Sequence, residues 1–277
     1  MRIEIIKTDK GQIEYSITGE GTPVLFIHGG HSNCRETLSH KGFDTSKYRL
    51  ITPSRPGYGN TPLDDITTPR KTSDLFVSLL NHLGIEKVVL YGISAGGLSA
   101  IELAANYPER VDKLILASAV TKKWLDKNDQ IYKMANLMFN PVTGKIVWGL
   151  IKIFSGIIPK LIAKSFYSQF SKNKPHRFKK NDIKELVAAL KLYNSKQGFT
   201  CDIDHDIESS VILKINCPTF IIHSKNDNSV SYEHAEHAKE SIKNSQLVGL
   251  DNEWGHLIWI GDDSKESIRK IIEFIEK

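Results

Sequence analysis

Apolar residues follow two rhythms along this chain. Near the start, Arg2–Lys7 and Gln12–Ile17 alternate apolar and polar positions around Lys10 and Gly11, which predicts an antiparallel hairpin. Short, nearly continuous apolar runs then appear at Pro23–Ile27, Arg49–Pro53, Lys87–Tyr91, Val111–Ser118 and Thr219–His223, with a weaker one at Gln246–Leu250. Such runs predict strands buried on both faces. Between them, apolar residues recur every three to four positions. Leu75, Leu79, Leu80 and Leu83 follow Pro69 and stop at Gly84; Leu98, Ile101 and Ala105 stop near Pro108; Glu233–Ile242 and Ser264–Ile275 make two further helices. Strands alternating with helices imply a mostly parallel sheet with helices on both faces.

The alternation breaks at residues 120–205, where the pattern is helical throughout. Helices are expected at Trp124–Phe139, Thr143–Ile157, Lys160–Phe170 and Asp182–Asn194, divided by Pro141, Pro159 and Pro175. This divides the chain into an α/β core, residues 1–120 and 201–277, and a helical insertion, residues 121–200. An insertion between two parallel strands is expected over their carboxyl ends, where ligands bind in open α/β sheets.

Charge singles out the same insertion. The chain carries a net charge of +5, yet residues 121–200 hold sixteen Lys and Arg against four Asp and Glu, so the remainder is acidic. No recognised module frames those lysines, which leaves a nucleic-acid role without support. The basic surface suits a solvated face or a peripheral contact with anionic membrane. Three widely spaced cysteines, Cys34, Cys201 and Cys217, fit a reducing compartment, and no run resembles a signal peptide or a spanning helix. A cytoplasmic protein is expected.

One stretch carries chemistry. Gly92-Ile93-Ser94-Ala95-Gly96 is G-x-S-x-G, placed after a strand and before a helix. A serine in that tight turn is lifted above the sheet, and the helix N-terminus behind it favours developing negative charge. A side chain at either flanking glycine is expected to collide with neighbouring backbone. A serine hydroxyl needs a base, and the base an orienting acid. His256, in "NEWGHLIW", and Asp227, in "FIIHSKNDNSV", lie in loops after strands on the side of Ser94; Asp251 and Glu253 are too near His256 in sequence to reach round its ring. Acyl transfer also requires donors for an oxyanion, here the backbone N–H groups of Ala95 and of Gly30 in "HGGH".

With these residues in place, the chain resembles the α/β-hydrolase-fold family, in its esterase, C–C hydrolase and proline iminopeptidase branch. "FIHGG", "SRPGYGNT", "GISAGG", "YPERVDKLIL", "SKNDNSV" and "WGHLIW" stand in that family's order across nearly the whole length. The resemblance implies an eight-stranded sheet, a helical cap after the sixth strand and no cofactor or metal. It also implies a Ser94–Asp227–His256 triad with Gly30 and Ala95 as the oxyanion hole. Two departures stand out. Ser54 occupies a position before Arg55 where relatives often carry aspartate, and "HGGH" lacks the proline of the iminopeptidase "HGGPG". A serine nucleophile argues against dehalogenases and epoxide hydrolases, which use aspartate.

Three features could suggest other chemistry. "DIDHDIE", Asp202–Glu208, lacks the glycine and glutamate of a calcium loop and reads as an acidic turn before a helix. His234 and His237 lack a third zinc ligand and read as a solvated helix face. Val147, Leu150, Ile151, Phe154 and Ile158 form an apolar stripe that suits packing within the insertion or an apolar tunnel, and Trp124, Met134, Met138, Phe139, Trp148 and Phe154 suit an apolar acyl or aromatic group. The expectation is a carboxylesterase acting on a small or medium apolar ester. Cleavage of a C–C or amide bond, or a binding protein that keeps a slow triad, are the alternatives.

Overall fold

A computed structural model describes residues 1–174 and 178–277, so the expected break at Pro175 lies outside the described residues. Eight strands form one sheet in the order β1-β2-β4-β3-β5-β6-β7-β8. The strands are β1 (Arg2–Thr8), β2 (Gly11–Thr18), β3 (Thr22–Ile27), β4 (Tyr48–Pro53), β5 (Val88–Ile93), β6 (Val111–Ala117), β7 (Thr219–Ser224) and β8 (Ser245–Leu250). β1 and β2 form the expected hairpin, β2 pairs antiparallel with β4, and every other pairing is parallel.

The continuous runs are strands because alternate residues serve two cores. Leu25, Ile27, Leu90, Leu114 and Leu116 face α1 (Pro69–His82) and α2 (Gly97–Asn106). Val24, Phe26, Val89, Tyr91 and Ile115 face α10 (Ser264–Glu276) on the other side. In α1, the Thr68 side chain accepts from the Lys71 N–H at 3.2 Å, Pro69 opens the first turn, and Leu75 and Leu79 are fully buried. Each such leucine contributes about 2 kcal/mol on leaving water.

Between β6 and β7 run α3 (Gln130–Phe139), α4 (Thr143–Ile157), α5 (Pro159–Phe170), α6 (Lys180–Leu192), and the short α7 (Gly198–Asp202) and α8 (Ser209–Ile212). The first of these starts later than expected. Asp126 and Asp129 form side-chain turns, Asp126 accepting from Asn128 N–H at 2.9 Å and Asp129 from Asp126 N–H at 3.0 Å, which compete with helix. Trp124 is instead tied to the core, donating from Nε1 to Ser229 O at 3.0 Å.

The apolar stripe expected in α4 is only half correct. Its buried residues are Gly144, Trp148 and Ser155, while Leu150, Phe154 and Ile158 are exposed. Trp148 joins Phe166, Tyr167 and Leu186 in a cluster that also includes Trp254, Leu257 and Ile260 from the loop after β8. Histidines 234 and 237 also depart from expectation. In α9 (Glu233–Ser241), His234 is buried, accepts the Thr121 N–H at Nδ1 (3.1 Å), and burial pushes its pKa down to about 4, with the Lys122 charge assisting. His237 Nδ1 meets Thr121 Oγ1 at 3.0 Å, so both rings hold a residue four positions past the end of β6.

Candidate active site

Ser94 follows β5 directly and has φ of +49°, a left-handed conformation that a non-glycine residue holds only under constraint. Close packing supplies the constraint. A Cβ at Gly96 would lie 2.5 Å from Ile27 O, and one at Gly92 would lie 2.6 Å from the Ala100 methyl. The second collision is with a side chain rather than the backbone expected. Ala95 lies buried in the single turn Ser94–Gly96 that leads into α2.

The three chemically suggestive side chains meet, although they come from three loops. His256 Nε2 lies 3.1 Å from Ser94 Oγ, and His256 Nδ1 lies 2.7 Å from Asp227 Oδ2. A carboxylate only accepts, so Nδ1 carries the proton and Nε2 is left to receive one from the serine. Asp227 is fully buried and has more partners than sequence reasoning expected. Its Oδ1 accepts from the N–H groups of Ser229 and Val230, both at 2.8 Å. Its Oδ2 also lies 3.1 Å from Nε2 of His223, a buried β7 residue that the sequence analysis did not single out. Burial alone would raise the carboxyl pKa, but His256, His223 and their hydrogen bonds hold it below the usual carboxylate range. Asp251 stays at the surface, accepting from Asn226 Nδ2 at 2.6 Å.

The end of α5 is fastened to both loops. Phe170 O accepts from His256 N–H at 2.8 Å and Asn228 N–H at 3.2 Å, and Lys172 N–H donates to Asn226 O at 2.8 Å.

Gly29 passes directly over the serine, where a Cβ would stand 3.0 Å from Ser94 Cβ, and a Cβ at Gly30 would stand 3.1 Å from the Phe199 ring. Their shared peptide is gripped from behind. Arg55 N–H donates to His28 Nε2 at 3.0 Å, so the ring proton sits on Nδ1 and donates to Gly29 O at 2.7 Å. Arg55 Nη2 reaches the same carbonyl at 3.1 Å. The guanidinium is itself buried and held by both oxygens of Asp202 at 2.6 Å each, and Tyr58 Oη donates to Asp202 at 2.6 Å. Burial works against the charged guanidinium, but Asp202 outweighs it and raises the Arg55 pKa. In a trans peptide the carbonyl and the following N–H point opposite ways, so holding Gly29 O directs the Gly30 N–H away from Arg55. The acidic turn thus begins with a buried carboxylate that the sequence alone did not connect to Arg55.

Ser54 departs from the common aspartate without leaving the loop unsupported. A buried carboxylate arrives from β2 instead. Glu14 Oε2 accepts from Ser54 Oγ and from Asn60 N–H, each at 2.8 Å.

Ser94 and His256 open into a cavity of about 540 Å³. Its walls include Trp124, Met134, Met138, Phe139 and Trp148, five of the six side chains expected to suit an apolar group; Phe154 lies outside it, exposed. Among the described residues, none of those lining it is Lys or Arg. His31 stands among Phe139, Trp148 and Phe199. Burial lowers its pKa to about 3, with the Arg55 charge assisting, so the ring is neutral.

A mostly parallel eight-stranded sheet, a strained serine after its fifth strand and a histidine between that serine and a buried aspartate define an α/β-hydrolase fold. The family model for the alpha/beta hydrolase fold matches residues 22–137. The chain is 40% identical to "Uncharacterized hydrolase YcgS" of Bacillus subtilis over 99% of both chains. It belongs to the alpha/beta hydrolase family. A 2-hydroxy-6-oxononadienedioate/2-hydroxy-6-oxononatrienedioate hydrolase of Paraburkholderia phymatum is 36% identical over 40% of this chain and 41% of its own. Among solved structures, an alpha/beta hydrolase fold protein from Nakamurella multipartita superposes with a TM-score of 0.78 at 24% identity, over 99% of this chain and 98% of its own.

Proposed function

We propose that the chain is a cofactor-independent serine hydrolase that cleaves carboxylic esters with an apolar acyl group. Ser94 Oγ attacks the carbonyl carbon while His256 Nε2 takes its proton; Asp227 holds the ring and stabilises the imidazolium. The N–H groups of Gly30 and Ala95 receive the oxyanion. Collapse of the tetrahedral intermediate breaks the C–O bond, and His256 returns the proton to the leaving alcohol. Water then attacks the acyl-enzyme by the same route. The segment from 121 to 200 serves as a cap over this site, and its aromatic and methionine side chains select the acyl group.

The observation that carries the reading is the unbroken Ser94–His256–Asp227 chain opening into an apolar cavity with no lining cation among the described residues. A C–C hydrolase reading draws on the similarity to the Paraburkholderia phymatum enzyme. That enzyme's named substrates are dicarboxylates, and the lysine- and arginine-free lining offers no counter-charge for a dianion. Arg55, a buried cation, is committed to Asp202.

The test is fluorophosphonate labelling followed by a chain-length series of p-nitrophenyl esters, with a 2-hydroxy-6-oxo dienoate assayed beside them. Burying one methylene contributes about 0.8 kcal/mol, so kcat/KM should rise by up to about fourfold per acyl carbon until the cavity is full. A flat profile, or turnover of the dienoate alone, would overturn the ester assignment.

A further inference from the structure

α4 is apolar on two opposite sides. Trp148, Ile151 and Ser155 face the interior, whereas Ile146, Leu150, Ile153 and Ile157 repeat at four, three and four positions and are between 49 and 69% exposed. At about 3.6 residues per turn, these sets lie on opposite sides of one helix. Leu137 of α3 and Leu161 of α5, also more than half exposed, add to the apolar surface of this helical segment. Soluble proteins rarely leave so many large apolar side chains together in water.

The charge on this segment indicates what covers it. Residues 130–174 carry seven lysines and not one Asp or Glu. On α4, Lys145 and Lys152 lie along one border of the exposed stripe, and Lys160 and Lys164 continue the charge onto α5. Lysine at such a border can rest its methylenes on the apolar surface while its ammonium reaches outward. A second copy of the chain is a poor partner, because a two-fold interface would set lysine against lysine with no carboxylate from this segment to pair them. No single helix among the described residues is long and apolar enough to cross a membrane, and the apolar parts of α3 and α4 meet at 81°. Geometry and charge fit a surface that lies in an interface.

We propose that the outer face of α3, α4 and α5 docks onto an anionic phospholipid bilayer, with Ile146, Leu150, Ile153 and Ile157 entering the headgroup–acyl boundary. Met134 and Met138 of α3 are exposed and also line the cavity, so docking places its mouth against the lipid. The inference stands apart from the ester reading, since binding needs no turnover; Ser94→Ala protein should bind as wild type does.

The test is flotation of the full chain with phosphatidylcholine vesicles containing or lacking phosphatidylglycerol. Wild type should float with the anionic vesicles at low salt, and progressively less as salt rises. Replacing Lys145, Lys152, Lys160 and Lys164 by Gln should weaken binding by about fivefold per lysine and flatten the salt dependence. The combined variant Ile146→Gln, Ile153→Gln, Ile157→Gln should lose binding while keeping its melting temperature and fluorophosphonate labelling, since none of the three is buried or lines the cavity. Failure of wild type to float, or undiminished binding by the isoleucine variant, would overturn the proposal. So would a dimer in sedimentation velocity that the same variant converts to monomer.

Discussion

Arg55 and Asp202 allow stability and catalysis to be separated in one set of variants. Both are buried and meet through two contacts of 2.6 Å, so Asp202→Ala leaves an uncompensated guanidinium inside the protein. Breaking such a pair costs about 3–5 kcal/mol, whereas replacing the whole polar group by apolar residues is often neutral. At about 2–4 °C per kcal/mol for a chain of this size, Asp202→Ala should lower Tm by about 10 °C. The combined variant Arg55→Met, Asp202→Leu, Tyr58→Phe removes the guanidinium, its carboxylate and the hydroxyl that also bonds Asp202 (2.6 Å), and should recover most of that loss. Activity should not recover with it. Without Arg55 Nη2, Gly29 O keeps only its bond from His28, and the Gly30 N–H is less firmly aimed. Losing an oxyanion donor outright costs about 10²–10³ in kcat, so loosening one should cost about 10–100-fold, with KM little changed. Differential scanning fluorimetry and ester kinetics on the same preparations give both numbers. A combined variant that regains stability and kcat together would refute the idea that Arg55 aims the donor. An unchanged Tm in Asp202→Ala would refute the energetic reasoning.

Three further outcomes follow from the site. Ser94→Ala should abolish fluorophosphonate labelling and ester turnover without changing Tm, and residual labelling at wild-type rate would place the nucleophile elsewhere. Asp227→Asn should lower kcat by about 10⁴ with KM little affected, while Asp251→Asn leaves both near wild type; the reverse ranking would identify the wrong acid. His234 has a pKa of about 4 in the folded chain against about 6.5 unfolded, so the unfolded chain takes up its proton first as pH falls. The stability it contributes is therefore complete above pH about 6.5 and is lost on going down towards pH 4, a slope in denaturant midpoint that His234→Gln should reduce.

What could be read from the sequence was local or strongly periodic. β3, β5, β6 and β7 were legible because strands buried on both faces are apolar at nearly every position. Ser94 was legible because a turn this tight needs its glycines within a few residues. Contacts across the fold were not. Arg55 and Asp202 are 147 residues apart, and nothing near either one indicates the other. His223 looked like one more position in a β7 apolar run, yet it lies 3.1 Å from the Asp227 carboxylate. α4 shows a different limit: apolar residues on two opposite sides mark it as a helix, but the pattern cannot say which of those sides meets the core. At Trp124–Asp129, aspartate side chains captured backbone N–H groups that a helix would have used.

The hydrogen bonds at the end of α5 have a consequence for how this architecture can diversify. Phe170 and Lys172 are joined through their backbone to the loops bearing Asp227 and His256, so the path of the main chain there is fixed. The Lys172 side chain is exposed and free to vary, whereas the Phe170 ring stacks on His256 and lines the cavity. An insertion or deletion at 170–172 should shift His256 and Asp227 along with the helix. Among the described residues, α3 and α4 make no backbone hydrogen bond to either loop, and α4 meets the His256 loop through the packing of Trp148, so both helices can change length or composition more freely if that packing is kept. New substrate preferences should therefore accumulate in α3 and α4. A chimera that exchanges helices with a relative should be joined before Phe170, so that the recipient keeps its own 170–172 tether.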